Sequence, residues 1–410
     1  MSARSIIVLL VLCACAMCAV PAWAQTTDPG VSQQERLADE RREKAANLEP
    51  YRVSPIEARI RALEEARFPS NIFVKGFNGI RPVVGGMPSG SGLVGGVGYV
   101  RGLDSERYRA AASATYSTRG FRQVSGRIDV PTRQSGRPVR GFVSAAYEDF
   151  PGLRFFGVGN DSRDEDRVFF GQTTKRFGGG LAGDLTRFVS VEADARHMIV
   201  ELGPANRQPS LESSGLPIDR LFAIETAFNV YGGAVTLNLF DRYEAPPAGL
   251  DISVGGWRYD DRDRQLGSFT RVTGQVRAQI PLGVRSRRLA LRVRTSHSLA
   301  DAGHVVPIHL METIGGAASL RGYREYRFRD ARNLLLSAEY RWEVWTYMDL
   351  ALFYDAGKVF EDAGDMDFEQ MHSGYGFGMR VRVPEDVFFN IDLAKSPEGY
   401  RLHIGGGPRF

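Results

Sequence analysis

The feature that most constrains this chain is a period of two. Between Asn333 and Val344, the residues Leu334, Leu336, Ala338, Tyr340, Trp342 and Val344 share one face. Asn333, Leu335, Ser337, Glu339, Arg341 and Glu343 share the other. Apolar against polar with a dyad repeat is what a strand lying between two environments requires. The alternation returns in Tyr375, Phe377, Met379, Val381 and Val383, opposed by Gly374, Gly376, Gly378, Arg380 and Arg382. It returns again in Leu289, Leu291 and Val293 against Arg288, Arg292 and Arg294. A soluble sandwich also alternates, so length and charge must choose. The segments run to roughly ten to fourteen residues, against about five or six for soluble strands. That suffices to cross hydrocarbon at a tilt. Arginines in rows on the polar face, with Tyr and Trp near the ends of the apolar one, suit a lipid-facing exterior around a charged lumen. The expected fold class is all-β, a transmembrane antiparallel β-barrel.

The first residues bear on the compartment. Arg4 precedes an unbroken small-and-apolar stretch from Ile6 to Val20, and Ala22-Trp23-Ala24 offers small residues where a signal peptidase reads. The apolar run is too short for a membrane anchor, so residues 1–24 are expected to be a signal peptide cleaved after Ala24. Cys15 makes a poor lipoprotein site. All three cysteines, Cys13, Cys15 and Cys18, fall inside the leader. The mature chain then has no disulfide, thiol nucleophile or cysteine metal site. A formal charge of +4 with interspersed charges implies no nucleic-acid partner. No later stretch approaches the length of an apolar helix that spans a membrane.

Residues 25–70 differ from all that follows. They are rich in Glu, Arg and Ala, and Ser54-Pro55-Ile56-Glu57 has the form of a capping box with proline at the first helical position. A charged, partly helical periplasmic segment is expected there, acting as tether, lid or plug. Residues 71–410 form the expected barrel. Candidate strands begin near 74–86 and include 138–149, 166–177 and 228–241. The last are 331–344, 347–358, 372–383, 387–395 and 399–410. About sixteen emerge, an even number as a single-chain barrel should have. The long connections at 150–165, 199–227 and 299–330 all follow odd-numbered strands, as extracellular loops would.

The last quarter carries a series of short motifs. Gly315-Gly316 is followed by Leu320-Arg321-Gly322-Tyr323, and then by Phe353-Tyr354-Asp355-Ala356-Gly357. Gly374-Tyr375-Gly376-Phe377-Gly378 with Arg380, and Asp392-Leu393-Ala394, complete it. In this order the series resembles the BamA/TamA type of outer-membrane barrels, the bacterial surface antigen family, whose relatives include two-partner secretion transporters. The apolar alternation of Tyr400, Leu402, Ile404 and Phe410 resembles the terminal recognition strand of bacterial outer-membrane barrels. The resemblance implies that loop 299–330 folds into the barrel and that Arg321 meets Asp355 in a lock with Gly322 and Tyr323. Gly315, Gly316, Phe353, Gly357, Gly376, Gly378, Arg380 and Asp392 are its supporting residues. Parity independently turns Asp355 inward, since Met348, Leu350 and Leu352 take the other face. Arginine offers a planar fork for a carboxylate. In a wet lumen the pair would stabilise modestly, nearer to a surface bridge.

Relatives of this type carry repeated periplasmic POTRA modules, and the space between Ala24 and the first strand does not accommodate one. The implied function is insertion, assembly or translocation of proteins or lipids at the bacterial outer membrane. A passive pore or structural surface antigen is the alternative. Expected partners are outer-membrane lipid, an unfolded protein or lipid substrate, and the barrel assembly machinery during biogenesis. No enzymatic site, cofactor or metal site is expected. Gly95-Gly96-Val97-Gly98 lies in a strand with no helix after it, so it is no dinucleotide loop and reads as glycines on the lumen face. The six histidines lack ligand spacing. Asp161 to Arg167 reads as a solvated charge run.

Overall fold

In the computed structural model the described residues run from Gly76 to Gly406, apart from short gaps at 104–107, 135–136, 214–224, 241–247, 264–266, 284–285, 346–347 and 384–385, with Asp39, Arg42 and Glu43 upstream. The expected signal peptide, most of segment 25–70 and Phe410 lie outside them. Asp39, Arg42 and Glu43 are helical.

The fold is a nearly closed antiparallel barrel of sixteen strands. In chain order the strands are β1 (Ile80–Val84), β2 (Val94–Leu103), β3 (Tyr108–Ser117), β4 (Arg122–Gln134), β5 (Arg137–Phe155) and β6 (Val168–Asp184). Next come β7 (Val189–Gly203), β8 (Thr226–Asn238), β9 (Gly249–Asp261), β10 (Phe269–Pro281) and β11 (Arg287–Ala300). Then follow the short β12 (Glu312–Ile314) and β13 (Phe328–Asp330), which pair with each other inside one loop. The barrel resumes with β14 (Arg332–Trp345), β15 (Met348–Phe360), β16 (His372–Val383), β17 (Asp386–Ser396) and β18 (Gly399–Gly406). Every strand of the barrel pairs with its neighbour in sequence, and β1 and β18 are the two ends of the sheet order.

The alternation places the apolar parity outside. Phe177, Leu352, Tyr375, Phe377, Leu402 and Ile404 are exposed there, as lipid contact requires. Antiparallel pairing sends every backbone polar group of an inner strand to a neighbour, the condition for crossing hydrocarbon. Parity also fixes the rims. Connections after odd strands of the barrel meet at one end and include the long ones, 156–167, 204–225, 301–331 and 361–371. Those after even strands, such as 185–188 and 282–286, are short.

Three strand lengths depart from expectation. β5 runs past Pro151-Gly152 to Phe155 because the ladder slips between Phe150 and Leu153. A bulge there carries the proline, which has no N–H to offer a ladder. β6 continues through Gly178-Gly179-Gly180 to Asp184. These glycines accommodate close packing: a Cβ on Gly180 would lie 2.8 Å from the Phe142 ring. β1 is only five residues long and contains Pro82, a residue suited to an edge strand. In β2 the glycines divide: Gly96 and Gly98 share the inward parity of buried Val94, whereas Gly95 lies on the outer face with exposed Val97.

The interior is not uniformly wet. Near the long-loop rim, Phe155, Val200, Phe228, Val230 and Phe269 pack with Val306 and Ile308 of loop 301–331 into a buried apolar cluster. A second cluster, Ile314, Leu320, Tyr323, Phe328, Leu335 and Val359, joins the same loop to β14 and β15.

Candidate functional site

Loop 301–331 lies inside the barrel against β14 to β17. Its backbone doubles back at Gly315 and Gly316, where Ser319 Oγ accepts from Gly315 N–H at 2.9 Å and donates to the Gly315 carbonyl at 2.8 Å. This turn aims Leu320-Arg321-Gly322-Tyr323 at the inner faces of the strands.

Arg321 is 2 % exposed and Asp355 is fully buried. The Arg321 guanidinium grips the carboxylate with both arms of its fork, Nε to Oδ2 at 2.7 Å and Nη2 to Oδ1 at 2.9 Å. The Arg321 backbone N–H also donates to Oδ2 at 3.2 Å. Its remaining arm, Nη1, donates to Glu339 Oε2 at 2.8 Å. The Phe353 ring lies under the guanidinium, 3.6 Å from Cζ to the ring centroid. Burial opposes the charge on Arg321, but Asp355 and Glu339 outweigh it and hold the guanidinium more firmly protonated than in water.

Glu339 is the hub. It accepts from Arg380 Nη2 at 3.0 and 3.1 Å and from Arg341 Nε at 2.8 Å, besides Arg321. Arg380 Nη1 reaches Asp392 Oδ1 at 2.6 Å. Arg321, Arg341 and Arg380 thus face Glu339, Asp355 and Asp392, a balanced set drawn from the loop and four strands. On the other side of the turn, Arg292 Nη2 of β11 donates to the Ala318 carbonyl at 3.1 Å. The Arg321–Asp355 bridge is therefore a buried, bidentate ion pair rather than the wet, surface-like pair expected. In such a setting, removing one partner strands the others without water.

The glycine motif on β16 explains how so much fits. Gly374, Gly376 and Gly378 stand on the inner face opposite Asp355, Phe353 and Ala351. A Cβ on Gly374 would come within 2.0 Å of the Arg321 carbonyl oxygen, and one on Gly378 within 2.1 Å of Asp392. Gly322 adopts φ +98°, where side chains are strained, and its carbonyl accepts from Ser396 Oγ at 2.8 Å. Tyr323 meets Phe328 and His372 edge-on, and Phe328 stacks on His372 at 3.9 Å. Burial pushes the Tyr323 phenol up to about 12, so it stays neutral. Gly357, where β15 passes Ile314 of the loop, leaves only 3.1 Å for a Cβ.

A second layer holds the loop from the rim. Arg324 Nε donates to Asp164 at 3.0 Å, and Arg327 reaches Ser162 Oγ at 2.9 Å and Glu398 at 2.6 Å. Asn160 accepts from Val359 N–H at 3.2 Å and donates to the Gln370 carbonyl at 2.9 Å. Segment 156–167 thus straps two other loops through Asn160, Ser162 and Asp164, while Asp161, Arg163, Glu165 and Asp166 between and beside them stay exposed, as a solvated charge run would. Within the same loop, both ring nitrogens of His309 are shielded from water and lack a partner among the described residues.

Glu339 and Arg341 were not singled out by sequence reasoning. Their inward parity was legible, but so was that of many other charges. Only the register Glu339↔Phe353 places the carboxylate beside Asp355. In the last strand, Tyr400, Leu402 and Ile404 face outward and are exposed, while their strand pairs with β17 through Lys395↔Tyr400, Leu393↔Leu402 and Ile391↔Ile404.

Residues 232–410 match the Omp85 superfamily domain. Among solved structures, the chain is similar to BamA from Haemophilus ducreyi lacking POTRA domains 1–3, with a TM-score of 0.57 at 16 % identity, over 81 % of this chain and 69 % of that one. It is also similar to CdiB from Escherichia coli, with a TM-score of 0.52 at 11 % identity, over 79 % of this chain. The chain spans 61 % of that CdiB structure. At these identities the likeness is one of fold. Comparison with curated proteins gives no match.

Proposed function

From the premise that this chain carries an Omp85 superfamily domain within an outer-membrane barrel of the BamA/TamA type, we propose that it admits protein or lipid into the outer membrane through a barrel whose interior loop acts as a lock. The observation that carries this reading is the bridge from Arg321 to Asp355 and Glu339, which ties loop 301–331 to β14 and β15 and, through Arg380 and Asp392, to β16 and β17. Strands β14 to β17 then form the fixed wall. The five-residue β1 with Pro82, at one end of the sheet order, is the movable edge opposite β18. Entry of an unfolded protein or a lipid would part these ends while the lock keeps the rest of the barrel in register. The outward apolar parity of Tyr400, Leu402 and Ile404 supports delivery of the chain itself by the barrel assembly machinery.

A passive pore is the weaker reading, because loop 301–331 and its apolar contacts occupy the interior beneath the long-loop rim. Purified protein in planar bilayers separates the two. The lock reading expects a closed, low-conductance barrel in which Arg321→Ala or Asp355→Ala raises conductance or makes it flicker. A steady open pore indifferent to both substitutions would overturn it. Deletion of the gene should cause an outer-membrane assembly or secretion defect.

A further inference from the structure

The strands away from the lock line a half-open cavity of about 530 Å³, within the range of small-ligand sites. Its wall is made by the inner faces of β1 to β7, and small side chains create the space: Ala111, Ser113, Ser125, Ser144 and Ala146 line it where larger residues would fill it. Among the described residues, the ionisable side chains on this wall are all arginine, namely Arg81, Arg127, Arg176 and Arg196. Three of them are oriented by carboxylates that do not line the cavity. Arg127 pairs with Asp129 at 2.9 Å, Arg196 with Asp194 at 2.8 Å, and Arg176 with Glu148. Trp257 Nε1 holds Asp194 from behind at 2.9 Å. Each of these pairs leaves guanidinium N–H donors over, since arginine carries five. Arg81 has no ion-pair partner among the described residues. The side chains of Arg127, Arg176 and Arg196 remain 42 %, 37 % and 34 % exposed to the lumen.

We propose that this cavity binds a small phosphate-bearing ligand. Several forked cations lining one space, with no carboxylate on its wall among the described residues, match the several acceptor oxygens of a phosphate or diphosphate. The hydroxyls of Ser113 and Ser125, 2.9 Å apart, add neutral hydrogen-bonding partners on the same wall. The volume fits a headgroup or a small phosphorylated compound, not a folded or extended protein. Arg81 lies on β1 itself, whereas the other three lie on β4, β6 and β7. A ligand engaging all four would therefore fasten the edge strand to the interior of the barrel. Occupancy would set how readily the edge opens. This site is independent of the Arg321 lock, and the two can fail separately.

The test uses the full-length protein in detergent micelles and in nanodiscs. Calorimetry with inorganic pyrophosphate reads the free-ligand source. Native mass spectrometry from phosphatidylglycerol against phosphatidylcholine nanodiscs, which differ in headgroup charge, reads the lipid source. Saturable binding is expected in at least one arm. Arg81→Gln, which breaks no ion pair, should weaken it about tenfold, the worth of one charge-assisted hydrogen bond. Ala146→Leu should weaken it by filling the space without altering charge. Binding of pyrophosphate identifies a soluble phosphate compound. Retention of the anionic lipid alone identifies a headgroup entering beside β1. No saturable binding in any arm by a barrel that still shifts on gels with heating overturns the proposal. So does binding that both variants leave intact, or tighter binding of an acidic peptide than of either phosphate probe.

Discussion

Two halves of one barrel use the same strand pattern to opposite ends. On β14 to β17 large charged residues point inward beside glycines that make room for them, and a loop is threaded among them until Glu339, Asp355 and Asp392 have no contact with water. Around the cavity on β1 to β7 small residues stand between the arginines, three of which pair along the wall, and space remains. An alternating strand therefore tells which face a residue takes and nothing about what meets it there. A carboxylate among buried arginines becomes part of the architecture. An arginine over an empty space stays available to a ligand.

The sharpest way to break this contrast is to remove one charge from each half. Arg321→Ala leaves Asp355 buried without its partner, takes one of three guanidinium groups from Glu339 and should cost about 3–5 kcal/mol, read as a lower unfolding midpoint in urea. Arg81→Gln should stay within about 0.5 kcal/mol. Equal losses would mean that the lumen is equally wet on both sides. Glu339→Gln keeps the shape but takes the shared charge from three guanidinium groups. A loss of about 3 kcal/mol is expected, and its cycle with Arg380→Gln should be strongly non-additive.

Volume offers a milder contrast. Gly374→Ala would push a methyl to within 2.0 Å of the Arg321 carbonyl and should cost about 1–3 kcal/mol through displacement of the loop. Gly126→Ala in β4 would meet nothing within 4 Å and should be tolerated in the same assay.

A pH series distinguishes the loop from the strands. Burial, and then the charge of Arg329, press the His309 imidazole down to about 3 from its ordinary 6.5. Because the folded value lies below the unfolded one, the stability held above about pH 6.5 is lost as pH falls from there toward 3. By linkage this amounts to about 1–2 kcal/mol at pH 5. His309→Gln should flatten that part of the curve, and an unchanged slope would assign the acid sensitivity elsewhere. The smallest effect belongs to the strap. Asp164→Asn breaks a partly exposed pair with Arg324 and should cost less than about 1 kcal/mol, with hydrogen exchange quickening in 156–167 before any global change.

The sequence by itself determined the class of fold, the strand count and the faces. A period of two survives any tertiary arrangement, because successive side chains of a strand must point to opposite sides. For that reason Asp355 could be turned inward, and Tyr375 and Phe377 outward, from spacing alone. The motif around Arg321 likewise pointed to Asp355 by resemblance. Only the tertiary structure decided the rest. Glu339 became the hub because register set it across from Phe353. Segment 156–167 became a strap because Arg324 and Arg327, more than 150 positions away, came to rest beneath it. Strand β5 ran through Pro151 because a bulge absorbed it. Burial, register and long-range pairing depend on what the rest of the chain places nearby, and no local spacing carries that information.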